Sequence, residues 1–328
     1  MSYPMTDEDR EIRDKARRFV DEELIPHEVE AEMNGGELPP EVVARQKARL
    51  QELGFGAINM PKDVGGDGLT MFQQALVQEQ AGRVTNALGW VLHSGPQWAV
   101  GVFNDDQIER YLKPIVRGER AECYAITEWN AGSDVDAIEA TARRDGDEYV
   151  LSGSKVHVTS FNRADLVFFQ GKLAGGPHAG QHALFIVERD RAGLRFVRNP
   201  AYMHTFADQH AVLEFDEVRV PATNLIGEEG DGMGFTYAWF RYERLMIAAR
   251  CCGAAERLID EATAFAQERV QFGHAIAEYQ AIQHMLADSL TELWAARLMT
   301  YRTAQEIDEG ADVKIQHAHA SMAKLYAS

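Results

Sequence analysis

The chain has 328 residues, 45% of them hydrophobic, and a formal net charge of −18. That length can bury two or three cores. The charge argues against a sequence-independent nucleic-acid surface or an anionic-membrane surface, both of which need an excess of Lys and Arg. Cys123, Cys251 and Cys252 allow no disulfide framework and fit a reducing, cytoplasmic setting. The polar, acidic start (1–11) has neither an apolar signal core nor an Arg-rich transit pattern, and no run is long enough to span a bilayer.

Residues 6–24 and 41–53 carry apolar positions at helical spacing with Glu, Arg and Lys between them. Segments 71–83, 86–103 and 106–117 continue this pattern, so 1–120 is expected to be a helical domain. The texture then changes. Segments 136–144, 147–152, 155–160, 165–172, 182–188, 194–198 and 211–220 are short and mostly rich in Val, Phe, Tyr and Thr, which predicts a β domain over 121–226. A closed or sandwiched antiparallel sheet is expected, with Asp145-Gly146 as a hairpin turn. The run 155–160 alternates, which predicts Lys155, His157 and Thr159 on one face and Val156 and Val158 on the other.

Residues 227–234 (Gly-Glu-Glu-Gly-Asp-Gly-Met-Gly) lack Gly-x-Gly-x-x-Gly spacing and a βαβ context, and read as a linker into a helix. Long helices follow from 235. One over 276–307 places Ile282, Met285, Leu286, Leu290, Leu293 and Trp294 at mostly three- and four-residue steps, and another covers 312–327. Bundles normally use four helices, so 227–328 is expected to be an incomplete helical bundle. The fold class is therefore an α+β multidomain chain: N-terminal helical domain, middle antiparallel β domain, C-terminal helical bundle.

The chain contains no Glu-x-x-His, and His317 and His319, two apart, would point to different sides of a helix, so no metal site is expected. Neither a phosphate-binding Gly-x-x-x-x-Gly-Lys loop nor a Gly-x-Ser-x-Gly turn is present. Residues 127–134 crowd small hydrogen-bonding groups around Gly132, for which a surface loop is the plain reading. Glu243 is more pointed. Its helical neighbours Trp239, Phe240, Met246 and Ile247 are all apolar, so it has no local ion partner, and such a desolvated carboxylate suits a general base near neutral pH. The alternative is a Glu at a domain boundary paired with an Arg from elsewhere. Arg241 and Arg244 could meet an anionic or carbonyl-bearing ligand, or form a solvated basic face.

Residues 123–134 (Cys-Tyr-Ala-Ile-Thr-Glu-Trp-Asn-Ala-Gly-Ser-Asp), 153–159 (Gly-Ser-Lys-Val-His-Val-Thr), 242–244 (Tyr-Glu-Arg), 268–273 (Glu-Arg-Val-Gln-Phe-Gly) and 278–283 (Glu-Tyr-Gln-Ala-Ile-Gln) stand in an order and spacing that resembles the acyl-CoA dehydrogenase family. The resemblance covers essentially the whole chain. It implies an FAD flavoprotein and homotetramer that dehydrogenates an acyl-CoA, or an acyl group on a carrier, and passes electrons to an electron-transfer flavoprotein. By the same resemblance, Tyr124, Ile126, Thr127, Gly132 and Ser133 would lie along the isoalloxazine, with His157, Val158 and Thr159 beside it and Thr159 near flavin N5. Arg269, Gln271 and Phe272 would reach the pyrophosphate of FAD on a neighbouring subunit, and Tyr279 and Gln280 its adenosine side. Ser133, Arg241, Tyr242 and Arg244 would contact the substrate. Glu243 would be the base, in the position the isovaleryl and long-chain subgroup uses.

Three departures stand out. The family usually has Glu-Pro where this chain has Glu128-Trp129, and Trp where it has His157. Its Met-Gly-x-Arg-x-Ser-Asp-Thr is Met-His-Thr-Phe-Ala-Asp-Gln-His at 203–210. The chain also stops several tens of residues before members normally do, short of the last helices and of the commoner base. Two alternatives remain open: a flavin oxidase or monooxygenase on the same fold, and a non-catalytic binding subunit.

Overall fold

The computed structural model describes residues 3–92, 95–204 and 209–328. In chain order the helices α1 (Asp7–Phe19), α2 (Glu28–Met33), α3 (Pro40–Leu53), α4 (Met71–Ala81) and α5 (Asn86–Gly89) are followed by the short α6 (Asp105–Gln107) and α7 (Lys113–Val116). Strands β1 (Glu122–Ala125), β2 (Thr141–Asp145), β3 (Glu148–Thr159), β4 (Leu166–Leu173), β5 (His182–Glu188), β6 (Leu194–Arg198) and β7 (His210–Pro221) come next. The long α8 (Gly232–Glu268), a hairpin of β8 (Val270–Gln271) and β9 (His274–Ala275), α9 (Gln280–Asp308) and α10 (Val313–Ala327) complete the chain. Two compact units result, one of 1–61, 67–94 and 240–328, the other of 62–66 and 95–239.

The helical unit joins both ends of the chain. Thr6 starts α1 with a capping box, accepting from Asp9 N at 3.1 Å while Asp9 Oδ2 accepts from Thr6 N at 2.9 Å. Phe72, Leu76, Tyr242, Leu245, Met246 and Tyr301 form one core of α4, α8 and α9. Asp308, at the end of α9, accepts from the free amides of Met71 and Phe72 at 2.7 and 2.9 Å and so caps α4. The α4–α8 crossing is close. A Cβ on Gly253 would stand 1.8 Å from the Glu79 carbonyl oxygen, and one on Gly82 would stand 2.0 Å from that of Arg250. Of the α9 stripe, Leu293 is buried, whereas Met285, Leu290 and Trp294 are exposed. The expected helix over 86–103 is short, ending at Gly89, with a single tight turn at Gln97–Ala99 after Pro96; residues 93–94 lie outside the description.

The second unit is built on a curled seven-stranded sheet ordered β1-β4-β2-β3-β7-β6, with β5 on the other edge of β4. Strands β4 and β5 are buried along almost their whole length, which requires both faces to be covered, and each carries an apolar run (Leu166–Phe169, Ala183–Val187). Most pairings are antiparallel, as expected, but β1 and β2 each run parallel to β4. β1 lies in a stretch to which the sequence assigned no element, just before the loop read at 127–134. The two segments expected at 147–152 and 155–160 are one strand, β3, whose pairing with β7 shifts between Lys155 and Val158. His157 takes a left-handed φ of 55° at that bulge. The bulge breaks the expected alternation: Lys155, Val156 and Val158 are all buried, and His157 and Thr159 are exposed.

Candidate functional site

In the sheet unit, the loop after β1 is pinned from beneath. Lys155 is 0% exposed, and its Nζ donates to Ile126 O at 2.8 Å and Glu128 Oε1 at 2.7 Å. Glu128 also accepts from the amides of Glu139 at 2.7 Å and Ala140 at 3.0 Å, so the buried charge is fully engaged. Val156 N donates to Thr127 O at 2.8 Å, which ties the loop to the bulge. Burial pulls the Lys155 ammonium down to about 8, against the pull of Glu128. The side chains of Thr127 and Ser133 make no hydrogen bond among the described residues. A Cβ on Gly132 would meet nothing within 4 Å.

The bulge face carries a polar aromatic cluster. His157 Nδ1 lies 2.6 Å from the Tyr202 hydroxyl, Thr159 Oγ1 lies 3.0 Å from His210 Nδ1, and His210 Nε2 lies 3.1 Å from His204 Nε2. Burial, then the neighbouring His204 and His157, holds the His210 imidazole below its usual range. Residues 205–208 of the divergent 203–210 stretch lie outside the description. Of the remaining loop candidates, Tyr124 stacks on Trp239 at 4.0 Å with a 5° interplanar angle. Ile126 and Val158 are buried, so those two can offer only backbone groups.

In the helical unit, Glu243 is half-buried on α8. The structure adds a neighbour that the apolar-stripe argument missed. Arg250, two turns further along, feels the Glu243 charge, which favours its own charged form against burial. Arg244 is engaged with α10, donating from Nη1 to His317 Nε2 at 2.9 Å and Ser321 Oγ at 3.2 Å. Arg241 is half-buried; burial opposes its charge, and it makes no hydrogen bond or ion pair among the described residues. Tyr242, also expected at the substrate, lies on the inner side of α8. It is 8% exposed and packed in the α4–α8–α9 core, because one 100° helical step turns it inward from Glu243.

Arg269, Gln271, Phe272, Tyr279 and Gln280 gather on the β8–β9 hairpin and the start of α9. The Tyr279 hydroxyl donates to Gln271 O at 2.8 Å. Phe272 has φ 54° and is 94% exposed. Among the described residues, no group of three or more His, Cys, Asp or Glu could hold a metal ion, and no helix is long and apolar enough to cross a membrane.

Family models for the N-terminal, middle and C-terminal domains of acyl-CoA dehydrogenase match residues 6–119, 123–218 and 230–328. The chain belongs to the acyl-CoA dehydrogenase family. Benzylmalonyl-CoA dehydrogenase of Aromatoleum aromaticum is 34% identical, over 100% of this chain and 85% of the relative. Caffeyl-CoA reductase-Etf complex subunit CarC of Acetobacterium woodii is 32% identical, over 98% and 84%. Among solved structures, butyryl-CoA dehydrogenase of Megasphaera elsdenii superposes with a TM-score of 0.88 at 26% identity, covering 100% of this chain and 85% of that one.

Like other acyl-CoA dehydrogenases, the protein is an oxidoreductase whose cofactor is FAD. The donor set fits that cofactor. A flavin edge needs several fixed hydrogen-bonding groups in a tight space, and the pinned loop offers the open hydroxyls of Thr127 and Ser133 around a glycine with free space above it. The sequence reading missed Lys155 as the anchor of this loop and Arg250 as the neighbour of Glu243. The first had no local signal, since Glu128 is 27 residues away. The second had one: a lone Arg within Ala-Ala-Arg-Cys-Cys-Gly (248–253).

Proposed function

We propose that the protein catalyses α,β-dehydrogenation of an acyl-CoA thioester to the trans-2-enoyl-CoA, with Glu243 removing the α-proton. FAD, when bound, supplies the hydride acceptor for the β-hydrogen. The reading is carried by Glu243, a half-buried carboxylate with a cationic neighbour, Arg250, further along the same helix. A carboxylate placed on an apolar helical face suits a group that accepts a proton. The loop 126–133, with 157–159, would hold the flavin, Val158 through its backbone alone. Ser133 and Arg241 would meet the thioester's polar part. Arg244 would act from its fixed position against α10, and an electron-transfer flavoprotein would take the electrons.

The relative CarC carries a reductase name. The same groups serve either direction, because the base that takes the α-proton returns it in reverse. The test is anaerobic titration of the FAD-loaded protein with saturated acyl-CoA thioesters. Flavin bleaching with appearance of the enoyl thioester is expected. Full flavin occupancy with no bleaching by any thioester of a broad panel would overturn the reading.

A further inference from the structure

Charged side chains buried in the helical unit are, as a rule, paired with carboxylates. Arg257 meets Glu28 at 2.6 Å, Arg83 meets Asp21 at 2.6 Å, and Arg297 meets Glu79 at 2.9 Å. This is what desolvation demands, since a buried cation without a partner is costly. Arg250, like Arg241, departs from the pattern. It lies deep enough for burial to oppose its charge, yet it makes no ion pair among the described residues.

Its guanidinium is nevertheless held in place. Nε donates to Gln78 Oε1 at 2.7 Å, and the group sits 4.5 Å over the Trp90 ring. The glycine-mediated crossing of α4 and α8 sets this geometry, because Gly82 admits the Arg250 backbone against the end of α4. Nη1 and Nη2 have no hydrogen-bond partner among the described residues. Trp90 is 47% exposed and Arg250 itself is only half-buried, so this corner opens toward solvent. The result is a flat, oriented fork of donors with its outer edge unused, the shape that a carboxylate fills with two parallel hydrogen bonds.

Arg250 and Glu243 lie seven residues apart on one helix, about 10 Å along its axis, and their side chains are close enough for the charges to interact. An acyl group with its α-carbon at Glu243 and its chain running along α8 toward Gly253 would bring its far end to Arg250. Resting on the dehydrogenase reading above, we infer that Arg250 is a specificity residue and that the natural acyl group is short and ends in a carboxylate. An aliphatic tail would instead strip water from the guanidinium and return no hydrogen bond.

The test compares thioesters of equal length that differ only at the far end: glutaryl-CoA against valeryl-CoA, and succinyl-CoA against butyryl-CoA. Binding is read by calorimetry, alongside flavin content and kcat/KM. The wild-type protein is expected to bind the carboxylate-ended member of at least one pair about tenfold or more tightly. Arg250→Met should erase that preference, and Arg250→Lys should keep part of it. Equal or tighter binding of the methyl-ended member in both pairs overturns the inference, as does a preference that survives Arg250→Met. The wild-type comparison needs no variant to fold. A protein without flavin sinks the dehydrogenase reading, while the calorimetric preference still decides the role of Arg250.

Discussion

Glu243 and Lys155 show two ways of handling a charge away from water. Glu243→Gln keeps size and hydrogen bonding but removes basicity. Loss of a positioned base typically costs about 10²–10⁴ in rate. Turnover should fall by that factor while FAD and acyl-CoA still bind; near-normal turnover would place the base elsewhere. Lys155 is pulled from an ordinary 10.5 down to about 8. Between those values the unfolded chain holds more protons than the folded one. This group's contribution to stability therefore rises with pH across that window, and its burial penalty is fully present below about pH 8. Lys155→Met should abolish that rise. It should also cost about 3–5 kcal/mol near neutrality, because Glu128 is left buried without its cation. Unfolding by denaturant at pH 7 and pH 10 measures both effects; an unchanged pH dependence in the variant would exclude Lys155 as its source. Neither arrangement was fully legible in the sequence. Alternation placed Lys155 beside His157, and only the bulge, whose pairing is set by β7, turns it into the core. The apolar face around Glu243 was legible because Trp239, Phe240, Met246 and Ile247 are local, whereas Arg250, two turns on, was missed.

Elements were legible where their periodicity was strong and their partners predictable. The strands β4 to β7 and the helices α8 to α10 fall close to where patterning put them, because burial and local spacing agree there. The misses share one cause, a tertiary partner with no local trace. β1 is a four-residue strand that exists only as a parallel neighbour of β4. The α4–α8 crossing depends on two glycines that looked unremarkable within helical patterns. Gly253→Ala would put a methyl 1.8 Å from the Glu79 carbonyl oxygen, and backbone cannot yield as a flexible side chain can. The helices must separate, at a cost of about 1–3 kcal/mol or more. A lower denaturation midpoint with flavin loop residues unaffected is expected. Wild-type stability in this variant would show that the crossing is looser than the distance implies.

At the scale of the whole molecule, the exposed hairpin at 270–275 asks for a second copy of the chain. Phe272 is 94% exposed in a left-handed conformation, and Val270 beside it is also exposed, so a large apolar group is held out toward solvent by a backbone shape that resists relaxation. Arg269 stands next to it with no side-chain partner among the described residues, so its donors are available to an anion. A net charge of −18 disfavours association unless specific contacts oppose the repulsion, which makes a shaped apolar contact the more necessary. The proposed arrangement has this hairpin contacting FAD on a neighbouring subunit within a homotetramer, since isologous packing of dimers closes at four. Arg269→Ala should leave assembly intact and weaken FAD binding by roughly ten- to a hundredfold, the loss of a charge-assisted hydrogen bond. Phe272→Asp should lower the oligomeric state and the FAD affinity together. Light scattering with flavin titration separates these outcomes. A wild-type monomer that holds stoichiometric FAD would show that each chain completes its own cofactor site, and Arg269 would then need another role.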